Sequence, residues 1–238
     1  MFNIRYMKLL ELFSGTGSVG KVAKTLGWEV VSLDLKNADI NCDILEWDYT
    51  IYPTGYFDVI WASPPCNTFS FLRASNIGRN GFTKQKIQDD IDNIGLPILR
   101  KTEEIIDYFQ PKYYCIENPQ TGKMKEYITK PYYDVDYCKY ADWGYRKRTR
   151  IWTNITGFVP KICKRDCNSM DGTTHKINIG HHDFVKDGDK VISLSTKELR
   201  EKYKDYERIQ EKKISLTLKQ RYRIPPKLIE DLFACMVW

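Results

Sequence analysis

Cys66 is the side chain from which the chemistry of this chain is read. It follows Pro64-Pro65 directly, and these close the apolar run Phe57-Asp58-Val59-Ile60-Trp61. Two consecutive prolines cannot continue a strand ladder, so they end a buried strand and present the next residue, a thiol, at its carboxyl end. In open α/β sheets that edge is where ligands sit. A cysteine met alone is more often a small buried apolar residue than a nucleophile, so its neighbours decide. Glu117, in Glu117-Asn118-Pro119, ends the apolar segment Tyr113-Tyr114-Cys115-Ile116. Its separation from Cys66 matches one strand–loop–helix–strand crossover, which returns the carboxyl group to the same edge. The alternative is a carboxylate capping the Gly122–Ile128 segment. Arg148 and Arg150, in Arg146-Lys147-Arg148-Thr149-Arg150, alternate on an expected strand over Arg148 to Thr153 and would face one side. Phosphate binding is the simpler use for them. Together the three residue types suit nucleophilic catalysis with acid–base assistance.

The elements that would position these groups alternate strand with helix. Lys8 to Phe13 reads as a strand, Ser14-Gly15-Thr16-Gly17-Ser18-Val19-Gly20 as a glycine-rich turn, and Val19, Val22, Ala23 and Leu26 as one face of a helix ended by Gly27. Strand, glycine turn and helix start would point backbone N–H groups outward. Trp28 to Leu33 is the next strand and ends at Asp34, placed to accept hydrogen bonds from ribose hydroxyls. Asp43 could receive an adenine amino group; otherwise both aspartates are polar loop residues. Phe57 to Ala62 is the fourth strand. Residues 67–95 read as polar and irregular, a helix runs from about Pro97 to Phe109, and Tyr113 to Ile116 is the fifth strand. This alternation predicts an α/β fold with a Rossmann-like, mostly parallel sheet.

Phe13-Ser14-Gly15-Thr16-Gly17, Pro64-Pro65-Cys66 with Phe69-Ser70, Glu117-Asn118-Pro119 and Arg148-Thr149-Arg150 occur in that order. The chain resembles the cytosine-C5 methyltransferases that use S-adenosylmethionine, most closely the compact DNA enzymes of phages and large viruses. The likeness runs from about Leu9 to Trp152 and resumes near Arg221-Tyr222-Arg223-Ile224-Pro225. It implies an enzyme that moves a methyl group from S-adenosylmethionine to C5 of a flipped cytosine in double-stranded DNA, leaving S-adenosylhomocysteine. C5 of cytosine is a poor nucleophile, so a thiolate first adds to C6. The resemblance makes Cys66 that nucleophile, Glu117 the partner of N3, and Arg150 the O2 contact with Arg148 in support. Such a thiol needs a lowered pKa. No side chain stands out as the base that removes the C5 proton, and water is an option. The cofactor residues it implies are Phe13, Ser14, Gly15, Thr16, Gly17, Asp34, Leu35, Asp43, Ile44 and Pro64.

The chain departs from the family pattern at Asn67, where glutamine is usual, at Pro119 for valine, and at Arg146 for glutamine. Two rival readings remain: an RNA (tRNA) cytosine-C5 methyltransferase of similar fold, and a catalytically silent nucleic-acid-binding relative. The recognition region is short, which suggests a small target sequence or loose specificity.

The 238 residues suffice for one sizeable α/β domain with a small appendage. The expected division is a cofactor-binding and catalytic domain over 1–154, a target-recognition region over 155–215, and a C-terminal helix within 216–238 packing back on the first. Of the 37 basic residues, 21 lie in 145–238 against 12 acidic ones, whereas 1–144 holds 16 against 19. A basic final third suggests a polyanionic partner, although Lys197 to Lys213 mixes both signs at helical spacing and reads as a solvated helix. The first residues carry no secretory leader and no membrane span is present, so an intracellular, soluble monomer is expected, in host cytoplasm or nucleus if viral. Seven scattered cysteines are not a disulfide framework. Cys163-x3-Cys167 followed by His175, His181 and His182 is off the commonest zinc spacing, so no metal is expected; Cys163, Cys167 and His175 are the candidates if one binds. Near the end, Leu228, Leu232, Cys235 and Met236 make one helical stripe, widened by Ile229 and Phe233.

Overall fold

Uninterrupted apolar runs are what a sheet covered on both faces requires, and Leu9-Leu10 and Val59-Ile60-Trp61-Ala62 are fully buried. The computed structural model describes residues 7–78, 82–177, 184–188, 190–193, 197–209 and 216–237. Its front half runs β1 (Lys8–Leu12), α1 (Ser18–Thr25), β2 (Glu29–Asp34), β3 (Ile40–Asn41), β4 (Val59–Ala62), α2 (Lys84–Asp90), α3 (Leu96–Phe109), β5 (Tyr113–Pro119), β6 (Tyr132–Asp136) and β7 (Arg148–Thr153). These seven strands form one sheet in the order β3-β2-β1-β4-β5-β7-β6. All pairings are parallel except those of β7, which runs antiparallel to β5 and β6. The expected α/β class and Rossmann-like, mostly parallel sheet are what the structure shows.

Side-chain alternation divides the core into two layers. Leu9, Trp61, Cys115 and Ile151 pack on one face with Val19 and Val22 of α1. Leu10, Ile60, Ile116 and Trp152 pack on the other with Leu99, Ile105 and Phe109 of α3. Residues 67–78 and 82–95 are more regular than expected. A tight helical stretch covers Phe71–Asn76, α2 follows, and a wide π-type turn over Ile91–Gly95 joins α2 to α3. The turn has a steric reason: a Cβ on Gly95 would lie 2.5 Å from Thr68 Oγ1 and 2.8 Å from Phe69 Cζ. Backbone therefore meets the loop that carries Cys66, and π-bulges of this kind gather at functional sites.

Beyond β7 come the hairpin β8 (Met170–Asp171) with β9 (Thr174–His175), then β10 (Phe184–Asp187), β11 (Lys190–Ser193), α4 (Lys197–Lys202) and β12 (Arg208–Ile209). β10 lies between β11 and β12 in a small antiparallel sheet. The single helix expected over Lys197 to Lys213 is not formed: α4 ends at Lys202, β12 follows, and 210–215 lie outside the described residues. Pairing with β10 outweighs a helical charge pattern that has little apolar surface to bury.

α5 (Leu218–Tyr222) opens on a capping box between Thr217 and Gln220. α6 (Pro226–Phe233) has a proline in its first turn and buries Leu228, Ile229 and Leu232 completely. It packs with α1 on the β1 face, where Phe233 stacks on Trp28 at 4.6 Å between centroids. Among the described residues no helix is long and apolar enough to cross a membrane.

Candidate active site

The register between β4 and β5 pairs Ala62 with Ile116, so Ser63 and Glu117 leave the core side by side at the carboxyl edge. Pro64 is buried, Pro65 is exposed and Cys66 is half-buried. The loop is fastened to β5 and its exit: Asn118 Nδ2 donates to the Pro64 carbonyl at 2.8 Å, and Lys123 N donates to that of Phe69 at 2.8 Å. Gly122 allows this approach, because a Cβ there would sit 3.2 Å from the Pro119 oxygen.

Glu117 is only 6% exposed. Its Oε1 accepts the Tyr137 hydroxyl at 3.0 Å and the Lys147 ammonium at 3.5 Å. Among the described residues no hydrogen bond reaches Oε2, so both protein contacts fall on Oε1. Glu117 does not cap the segment after β5, whose first residue, Gly122, has no side-chain cap. Cys66 lies within electrostatic reach of both groups. Burial pushes its thiol up, the Glu117 charge pushes it further, and Lys147 pulls it down. The lowered thiol that the chemistry calls for is not supplied by these side chains alone: desolvation of a thiolate outweighs one ammonium.

The basic segment divides by strand parity. Glu117 pairs with Ile151 and Asn118 with Arg150, so Thr149 and Lys147 share the Glu117 face while Arg148 and Arg150 take the other. Arg150 is held by Asp134 through two bonds of 2.7 and 2.8 Å and lies 3.6 Å over the Tyr132 ring. The structure does not bring it to Cys66 or Glu117. Arg148 is exposed at the rim. Lys147, which sequence reasoning passed over, is the cation at Glu117. Arg146 is structural as well: its guanidinium grips Asp136 at 2.8 and 2.7 Å and the Cys163 carbonyl at 3.1 Å.

The glycine turn bends through positive φ at Phe13, Gly15 and Gly17 (57, 50 and 62°). Here too the structure amends the expectation. The N–H groups of Val19 and Gly20 do not point to an open site, because buried Glu11 accepts them at 3.1 and 2.9 Å. Asp34 accepts Gly15 N at 2.9 Å and Leu35 N at 2.7 Å, which ties the turn to the tip of β2. Ser14 is buried and Thr16 is hydrogen-bonded to Ser18 at 2.6 Å. Ile44 is a core residue, Asp43 is exposed and bonded to Leu45 N, and Leu35 is 66% exposed. A nucleoside fits this set of acceptors: carboxylates with spare lone pairs at the tips of β2 and β3, and an exposed apolar side chain for a base to cover. Beside the turn a cleft of about 260 Å³ is lined by Thr16, Ser18, Lys21, Lys219, Gln220 and Arg223, a polar and basic setting for a carboxylate.

Cys163, Cys167 and His175 come together, joined by Cys138, which was counted only among scattered cysteines. His181 and His182 lie outside the described residues.

A seven-strand sheet of this order, with a glycine turn after β1 and carboxylates beyond β2 and β3, is the Rossmann-like methyltransferase fold. No protein-family model matches the chain. It is 47% identical over 232 residues to the "Probable DNA (cytosine-5)-methyltransferase" of Frog virus 3 (isolate Goorha), covering 95% of this chain and 98% of that protein. The chain belongs to the DNA (cytosine-5)-methyltransferase family. A solved Entamoeba histolytica methyltransferase, EhMeth, is 16% identical with a TM-score of 0.43, over 73% of this chain and 57% of that one.

Proposed function

We propose that the protein methylates C5 of cytosine in duplex DNA, with Cys66 as nucleophile. One observation carries the reading: Cys66 and Glu117 emerge from adjacent strand ends whose loops are joined by the Asn118–Pro64 hydrogen bond. Sγ of Cys66 forms the bond to C6 while Glu117 holds a proton at N3, so the ring electrons move toward C5. The proton held between Glu117 and N3 is the one given up by the Cys66 thiol, so the negative charge that raises that thiol is neutralised as Sγ adds to C6. Once C5 carries the methyl group, its proton passes to water, the electrons of that C–H bond restore the C5–C6 double bond, and the C6–S bond breaks to return Cys66. Lys147 and Tyr137 hold Glu117 in place from the Oε1 side. S-adenosylmethionine, held by the glycine turn, Asp34 and Asp43, would supply an electrophilic methyl group. Arg148, exposed at the rim, meets the substrate, and Arg150 positions β7 through Asp134.

Duplex DNA as substrate is favoured over RNA by the name of the viral relative. The test is incubation with 5-fluorocytosine duplex DNA and S-adenosylmethionine, followed by denaturing electrophoresis. A covalent complex that Cys66→Ser loses is expected, as is tritium transfer to duplex DNA exceeding that to RNA. An adduct that survives in Cys66→Ser, or label entering RNA alone, refutes the proposal.

A further inference from the structure

A second cluster of reactive side chains lies apart from the pair of Cys66 and Glu117, and the mechanism above does not use it. Cys138 sits in the tight turn Tyr137–Lys139 after β6, Cys163 and Cys167 bracket a short loop, and His175 ends β9. One ligand atom from each lies within 4.8 Å of the others. Sγ of Cys163 is 3.7 Å from that of Cys167, and His175 Nε2 is 3.6 and 3.4 Å from the two sulfurs. A tetrahedral zinc with bonds of about 2.3 Å to sulfur and about 2.05 Å to nitrogen has S–S edges of about 3.8 Å and S–N edges of about 3.6 Å. The three edges among Cys163, Cys167 and His175 match that tetrahedron, and the Cys138 sulfur lies within 4.8 Å of each of them.

The surroundings are built for such an ion. Arg165 takes a positive φ of 66°, which folds the Cys163–Cys167 loop back so that its N–H donates to Cys163 Sγ at 3.3 Å. Such bonds stabilise a metal-bound thiolate, and partners outside the ligand set of this kind fix ligand orientation. Asp136 Oδ2 accepts both Cys163 N at 2.8 Å and the Arg146 guanidinium, which also bonds the Cys163 carbonyl. Lys139 pairs with Asp166 across the loop at 3.0 Å. Three thiolates and an imidazole are soft and borderline donors, which favour zinc over magnesium or calcium. The close span suits one ion, and four protein ligands leave no open position, the mark of a structural site.

The geometry points to a structural Zn²⁺ site formed by Cys138, Cys163, Cys167 and His175, which pins residues 163–175 to the end of β6. The position has a consequence for the active site. Cys138 follows Tyr137, the residue that donates to Glu117, so the metal braces one partner of that carboxyl group. It also replaces apolar core that so short an appendage cannot supply.

The test is made on the full chain, expressed with added zinc and purified without a metal-binding tag or chelator. Elemental analysis is expected to give about one zinc per chain. Cys138→Ser, which leaves Cys163, Cys167 and His175 in place, is expected to lose it, while Cys235→Ser retains it. Because a ligand variant can fail to fold, the wild-type protein is also exchanged with Co²⁺. Tetrahedral thiolate coordination then gives intense sulfur-to-cobalt charge-transfer absorption that zinc displaces. Folded wild-type protein with less than about a tenth of an equivalent of zinc and no such absorption overturns the inference. So does metal retained in Cys138→Ser, an iron–sulfur chromophore, or a Cys163–Cys167 disulfide in protein purified under reducing conditions. None of these readouts depends on methyl transfer, so the site stands or falls apart from the catalytic reading.

Discussion

Replacing Glu11 by glutamine isolates a pH-dependent stability term whose size follows from its surroundings. Glu11 is 4% exposed beneath the amino end of α1. Two backbone N–H bonds and the charges of Lys21 and Lys24 favour its ionised form, yet burial outweighs them and lifts its pKa from 4.5 to about 7. An acid raised in the folded state contributes stability that is fully present below the unfolded value and lost as pH climbs through the folded one. At about 1.4 kcal/mol per pKa unit, the full contribution is about 3 kcal/mol, of which about 2.5 is lost between about pH 5 and about pH 8. Glu11→Gln has nothing to titrate. Its amide still accepts one of the two N–H bonds, so the variant starts less stable but lacks this slope. Urea denaturation of both proteins across that range is the assay. The wild-type unfolding free energy should fall by about 2 to 3 kcal/mol more than that of the variant. Parallel pH profiles would refute the argument and show the carboxyl group to be solvated or ionised throughout.

Two further substitutions separate the roles of the basic segment. Lys147→Met removes the charge that pulls the Cys66 thiol down, so alkylation of Cys66 near neutral pH should slow and its pH midpoint move up; an unchanged midpoint would show that Lys147 does not act on the thiol. Arg150→Ala breaks the two-bond contact with Asp134, whose partners are 12% and 30% exposed, and should cost about 1 to 2 kcal/mol in urea denaturation. Arg148→Ala should leave stability within about 0.5 kcal/mol while weakening DNA binding in a salt-dependent manner. If instead Arg150→Ala is stable and selectively loses catalysis, Arg150 reaches the base and the assignment reverses.

Cys66 and Glu117 could be placed from the chain alone because both signals are local. Proline pairs stop strands, an apolar run before each group marks a buried strand, and parallel crossovers bring such strand ends to one edge. What escaped notice is what depends on contacts between distant segments. Glu11 hid inside Leu9-Leu10-Glu11-Leu12-Phe13, although a carboxylate amid four apolar residues was itself a signal that something must satisfy it. Cys138 lies 25 residues before Cys163, across β7, and only the antiparallel return of that strand brings the two together. The Lys197–Lys213 stretch misled because charge alternation at helical spacing carries little information without an apolar face.

Lys147 shows the same limit in its sharpest form. Counting by twos correctly puts Arg148 and Arg150 on one face of β7, but not which face, because that is fixed by pairing with β5. With Glu117 opposite Ile151, odd-numbered residues of β7 share its face, and Lys147 falls at the rim next to it. A slip of one residue in this antiparallel pairing would exchange the faces, bringing Arg148 and Arg150 to Glu117 and taking Lys147 away. Such a slip would also drive Ile151 and Thr149, both fully buried, out of the α1 layer and put Trp152 in their place. The packing of β7 against two different helical layers therefore decides which cation stands beside the acid.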